Sequence, residues 1–199
     1  MFNKIFSKKS SATPDSKSAD ERMRSISGSA SASRAAEMLT APTALMQLSR
    51  DEGKVVVSFM APKKIAEGTT FMKEGDARDT GYMMLLLDGE VTIESISVSR
   101  TEPVTVTVLG PGSLIGEMGL VDGEPRSASC TATTDISCAI LTRAALEKLM
   151  DENPRVGAKL MMAVSLRIAE RMRDTAEKLK LYSQLVQAMQ QEIDKALPS

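Results

Sequence analysis

GEMGLVDGEPRSAS, residues 116–129, sets an acid near its start, an arginine near its end and three glycines at Gly116, Gly119 and Gly123. Two more glycines, Gly110 and Gly112, lead into it. Glycines here permit tight turns and close approach of backbone to another group. Leu114, Ile115, Met118 and Leu120 give a single helical turn something to bury. Arg126 lies among small residues, after Pro125 and before Ser127 and Ala128. That setting suits an anion. A guanidinium donates a bidentate fork to phosphate, and the N–H groups of a short helix add to it. Glu117 is ill suited to phosphate and well suited to a sugar hydroxyl, because a carboxylate accepts from a 2′-OH.

The surroundings of this segment read as sheet. From about residue 54 to 140, short apolar runs alternate with turn residues, beginning at Val55-Val56-Val57 and punctuated at Glu67-Gly68, Glu74-Gly75-Asp76 and Asp88-Gly89. Met83 to Leu87 is a continuous apolar run, which predicts a strand buried on both sides. PVTVTVL, residues 103–109, alternates with period two, as a half-buried strand does. Residues 128–141 are rich in β-formers and small side chains. Short strands at this spacing predict an antiparallel β-barrel or jelly roll.

From Thr142 the pattern turns helical. Thr142 is a candidate N-cap, and Asn153-Pro154 starts a second helix with Pro where its missing N–H costs nothing. That helix runs to about Ala196. Met172, Thr175, Leu179, Tyr182, Val186, Met189 and Ile193 recur at spacings of three and four, the a/d pattern of a coiled coil. The expected fold class is therefore α+β, mainly β, with a long C-terminal dimerisation helix. Residues 1–35 read as a disordered tail, rich in Ser, Ala, Lys and Arg. Residues 36–151 read as a β-barrel domain with flanking helices, including a short one near Ser33–Leu48. Residues 152–199 read as the coiled-coil helix.

Gly116, Glu117, Met118, Gly119 and Leu120, followed by Pro125, Arg126, Ser127 and Ala128, resemble the phosphate-binding cassette of cyclic-nucleotide-binding domains. The resemblance spans roughly residues 52–180, with Gly68, Gly75, Gly89, Gly112 and Gly116 at the barrel turns. It implies that Arg126 binds a cyclic phosphate, that Ser127 adds a hydroxyl or N–H, and that Glu117 holds the ribose 2′-OH beside the Gly116 N–H. Met118 and Ala128 complete the ligand-binding set. Residues 170–179, ERMRDTAEKL, are similar to the dimer helix of bacterial catabolite activator proteins. By that similarity Thr175 contacts the purine; Ala176 stands where a second hydroxyl is common.

The chain of 199 residues carries a net charge of -1, so no global field points to nucleic acid. It has no His and only two Cys, Cys130 and Cys138, which removes the usual general base and any zinc-type cluster. Neither an enzyme activity nor a cofactor is expected. No apolar run is long enough to span a bilayer, and the start lacks a secretory pattern, so a cytoplasmic location is expected. Residues 181–199 hold one Lys and no Arg, so no DNA-binding module is expected there. The expected function is a receptor for a cyclic nucleotide, 3′,5′-cyclic AMP first, acting as a homodimer on a protein partner. The alternatives are a cyclic di-GMP receptor on the same fold, with Arg171 and Arg173 meeting a second phosphate, and a scaffolding dimer that ignores ligand.

Overall fold

The computed structural model describes residues 19–41, 48–96 and 103–196. The chain divides into two compact units, residues 1–164 and 165–199.

The described strands of the first unit are β1 (Ala61–Ile65), β2 (Thr70–Met72), β3 (Tyr82–Asp88), β4 (Val91–Ile96), β5 (Pro103–Leu109), β6 (Leu114–Ile115), β7 (Ser129–Ala132) and β8 (Ile136–Thr142). They form two four-stranded antiparallel sheets, ordered β1-β8-β3-β6 and β2-β7-β4-β5. The two sheets enclose a core of Ile65, Met72, Met84, Leu86, Val91, Ile115, Cys130, Ala132, Ile136 and Cys138. Aliphatic and thioether side chains fill this interior, as the scarcity of aromatics requires.

Strand β3 is the spine of its sheet. It pairs with β8 on one side and β6 on the other. Met83 to Leu86 are all buried. Met84 and Leu86 enter the core between the sheets, while alternation sends Met83 and Leu85 to the opposite face. The apolar run that predicted burial on both sides is thereby accounted for. The 128–141 segment is two strands, β7 and β8, broken by Thr133–Asp135.

The described helices are α1 (Ala19–Ile26), α2 (Ala30–Leu39), α3 (Arg50–Ser58), α4 (Glu117–Asp122), α5 (Arg143–Glu152) and α6 (Pro154–Ala196). Thr142 caps α5, accepting from the Ala145 N–H at 3.2 Å. Pro154 opens α6, and the second unit is the part of that helix from Ser165 onward. No described helix is long and apolar enough to cross a membrane.

Two expectations are corrected. The tail expected over residues 1–35 holds helices from Ala19 onward; residues 1–18 lie outside the described residues. Arg22 on α1 is buried, lies 4.2 Å over the Phe59 ring and ion-pairs with Glu152 on α5. On α2, Ala35, Ala36 and Leu39 are buried. The helix expected near Ser33–Leu48 accordingly starts at Ala30 and ends at Leu39, with residues 42–47 outside the described set.

The second correction concerns Val55-Val56-Val57, read as the first strand and found in α3. Local capping and packing override the β preference of three branched residues. Ser49 accepts from the Glu52 N–H at 3.3 Å, and the Glu52 carboxylate accepts from the Ser49 N–H at 2.9 Å. Val56 and Val57 are buried, and Gly53 allows Thr40 and Ala36 of the neighbouring chain segment to approach closely.

Ser49→Ala should remove one half of this box and cost about 1 kcal/mol in urea unfolding. Lys159 donates to Glu52 at 2.6 Å and, as the largest cause, holds the Glu52 carboxyl well down, from its ordinary 4.5 to about 2. Folding lowers this pKa, so the contribution is complete above 4.5 and fades as pH falls toward 2. Glu52→Gln should therefore flatten the loss of stability over that acid window, read from urea midpoints across pH.

Candidate functional site

The site grows from the end of β6. Gly116 adopts a left-handed conformation, φ 80° and ψ 15°, and turns the chain from strand into α4. A β-carbon there would stand 2.7 Å from Nη1 of Arg126 and 2.7 Å from the Met72 terminal methyl, so glycine is required by both conformation and space. Glu117 occupies the first turn of α4 and is only 2% exposed. A carboxylate at a helix N-terminus is favourably placed against the exposed N–H dipoles.

Arg126 is fixed at its main chain. Its N–H donates to Asp76 O at 3.1 Å and its carbonyl accepts from the Gly75 N–H at 2.8 Å, pinning it to the turn before β3. Its side chain turns inward and is 6% exposed. Nη1 donates to Tyr82 O at 3.3 Å and Gly116 O at 3.2 Å. Nη2 donates to Asp79 O at 3.0 Å and Tyr82 O at 3.3 Å. The guanidinium carbon lies 4.4 Å from the centroid of the Tyr82 ring. Buried Nε has no hydrogen-bond partner among the described residues. The fork expected to face a phosphate therefore serves main-chain carbonyls in this structure. The reason is the cost of burying a charge without acceptors.

The far end of α4 is also held. Gly123 closes it, donating its N–H to Gly119 O at 3.0 Å. Thr80 donates its hydroxyl to Gly123 O at 3.0 Å. Arg143, the first residue of α5, donates through Nη2 to Gly119 O at 3.0 Å and Leu120 O at 2.8 Å. A cation is unfavourable at its own helix N-terminus and favourable at the carbonyl end of α4, which explains its direction.

Gly116, Glu117 and Arg126 thus come together around α4. Ser127 follows Arg126 and is exposed, Ala128 is half-buried, and Met118 is 38% exposed. Thr175 lies in the second unit. It is exposed, and its hydroxyl donates to Arg171 O at 2.8 Å on its own helix. That bond gives the seam hydroxyl a local acceptor on its own helix. Sequence reasoning missed Tyr82, Thr80 and Arg143. The available signals were the polar Asp79-Thr80-Gly81 step before an apolar run and a basic residue at the start of a helix. Burial is the main influence on the Tyr82 phenol and raises its pKa, against the opposing Arg126 charge.

Among the described residues, no group of three His, Cys, Asp or Glu side chains could hold a metal ion. Cys130 and Cys138 are buried thiols, and burial pushes the Cys138 thiol up.

Residues 62–153 match the family model described as "Cyclic nucleotide-binding domain". The chain is 32% identical over 101 residues to a cyclic nucleotide-gated potassium channel of Mesorhizobium japonicum, covering 51% of this chain and 26% of the channel. It is 26% identical over 109 residues to a CRP-like cAMP-activated global transcriptional regulator of Mycobacterium tuberculosis, covering 55% of this chain and 47% of the regulator. The chain thus spans less than half the length of either curated relative. Its structure is similar to that of the catabolite activator protein of Thermus thermophilus, with 25% identity, a TM-score of 0.62, and coverage of 73% of this chain and 63% of that one.

A β-carbon on Gly119 would lie 2.6 Å from Thr80 O and 2.9 Å from Arg126 Nη1. Neither the carbonyl nor the caged guanidinium can yield freely, so Gly119→Ala should destabilise the fold by about 1–3 kcal/mol in chemical denaturation.

Proposed function

We propose, from the premise that residues 62–153 are a cyclic nucleotide-binding domain, that this chain is a cyclic-nucleotide receptor with 3′,5′-cyclic AMP as its ligand. The observation that carries the reading is a buried arginine and a buried carboxylate, Arg126 and Glu117, gathered around the short helix α4. One supplies the cation for a cyclic phosphate and the other an acceptor for a ribose hydroxyl. Ser127, exposed beside Arg126, adds a hydroxyl at the mouth, with Met118 and Ala128 as apolar contacts. The relatives named above include one described as cAMP-activated, which supports the choice of nucleotide.

The receptor works by binding, without a reaction or a cofactor of its own, in the cytoplasm. It acts as a homodimer through α6, whose Met172, Leu179, Tyr182, Val186, Met189 and Ile193 are all at least half exposed or nearly so. A protein partner reads the ligand state; an output through DNA is not part of the proposal.

Isothermal titration with cyclic AMP, cyclic GMP and cyclic di-GMP tests the reading. Cyclic AMP should bind at one per protomer and most tightly. No heat from any of the three at millimolar concentration would sink it. Arg126→Lys should weaken cyclic AMP about 100-fold and Glu117→Gln about 10-fold, the range of hydrogen bonds to charged groups. Thermal unfolding of each variant separates lost binding from lost fold. Light scattering should give a dimer mass, and Leu179→Glu with Val186→Glu should give a monomer that still binds nucleotide.

A further inference from the structure

Arg126 is the cation of the proposed site, yet its Nη1 and Nη2 already donate to the carbonyls of Tyr82, Gly116 and Asp79. Only Nε lacks a partner among the described residues, and one N–H cannot grip an oxyanion with the two-pronged geometry that favours arginine. Incoming phosphate and these carbonyls therefore compete for the same donors. One residue supplies two of the holds. Tyr82 offers both its main-chain oxygen and its ring, 4.4 Å from the guanidinium carbon. The ring is itself anchored, because the Tyr82 hydroxyl donates to Phe71 O at 3.3 Å. Burial strengthens such a cation–ring contact beyond its value in water.

The geometry points to Tyr82 as a positioning residue that parks Arg126 in its inward pose, so that nucleotide binding must draw the guanidinium off the Tyr82 ring. This inference rests on the receptor reading. Tyr82 then sets the affinity of the site without belonging to the set that touches ligand. It keeps the charge satisfied in the inward pose and imposes a penalty on leaving it. A ligand can shift this two-state side chain only through its preference for the released form.

The composition offers a direct readout. The chain has two tyrosines and no tryptophan. Tyr182 lies on α6 in the second unit. Tyr182→Phe therefore leaves Tyr82 as the sole indole-free emitter of the protein. In that background, cyclic AMP should change the tyrosine emission along the same saturation curve that calorimetry records. Arg126→Lys should remove the emission change at nucleotide concentrations that still saturate the variant. Tyr82→Leu should bind cyclic AMP about 10-fold tighter, and Tyr82→Phe should stay within about twofold of the parent. Calorimetric binding with no change in Tyr82 emission would overturn the parking role and leave the receptor reading intact. Unchanged or weaker binding by a folded Tyr82→Leu would do the same. If that variant does not fold, the emission of native Tyr82 decides. Absence of calorimetric binding in the parent would overturn the receptor reading and this inference with it.

Discussion

A guanidinium buried at 6% exposure must be surrounded by acceptors, and the geometry around α4 answers that demand. The carbonyls that accept from Arg126 come from the approach to β3 and from the β6–α4 turn. They are available because Gly116 takes a left-handed conformation and because neither Gly116 nor Gly119 carries a β-carbon where the guanidinium lies. The buried charge thus dictates the glycines on either side of Glu117. It also ties two neighbouring strands of one sheet, β3 and β6, to the segment that leads into β7.

The other end of α4 obeys a related rule. The last carbonyls of a helix lack intrahelical partners. Here Gly123 N–H and the Arg143 guanidinium take the Gly119 carbonyl, and Arg143 also takes that of Leu120. The Arg143 main-chain N–H meanwhile donates to Gly81 O at 2.7 Å. The residues 79–82 therefore contact both arginines, Arg126 through the carbonyls of Asp79 and Tyr82, and Arg143 through that of Gly81. A shift of the Arg126 guanidinium or of the Arg143 main chain is felt at the same four-residue step. Arg143 opens α5, and Thr80 donates to Gly123 O at the end of α4, so this step also joins α4 to the helix that leads to α6.

What could be read from the sequence follows from how local each feature is. The cassette around Glu117 and Arg126 was legible because its glycines, acid and arginine fall within fourteen consecutive residues. Strands β3 and β5 were legible from an apolar run and a period-two pattern. Thr142 was legible as a cap and Pro154 as the start of a helix. Val55-Val56-Val57 misled because residue type was weighed above the Ser49–Glu52 box just before it. The helices after Ala19 were hidden because Arg22 finds its partner, Glu152, 130 positions away. The inward pose of Arg126 was hidden for the same reason. Its acceptors at Asp79 and Tyr82 lie 47 and 44 positions earlier, and main-chain carbonyls leave no trace in residue types.

Helix α6 shows the opposite case, where the sequence says more than the isolated chain can satisfy. It runs 43 residues, and from Ser165 onward the second unit consists of this helix alone among the described residues. Long helices owe most of their stability to packing of an apolar face. Yet Met172, Leu179, Tyr182, Val186, Met189 and Ile193 remain between 49% and 69% exposed. Leaving six such side chains in water forgoes on the order of 10 kcal/mol of burial. Their spacing of three and four is the spacing of a helix that packs against another with the same repeat. Charged residues crowd the helix from Arg167 to Lys180, whereas LYSQLVQAMQQ, residues 181–191, contains none. In this uncharged part the side chains at Leu181 and Leu185 widen the exposed apolar face. The exposed apolar face of α6 is therefore broadest beyond Lys180.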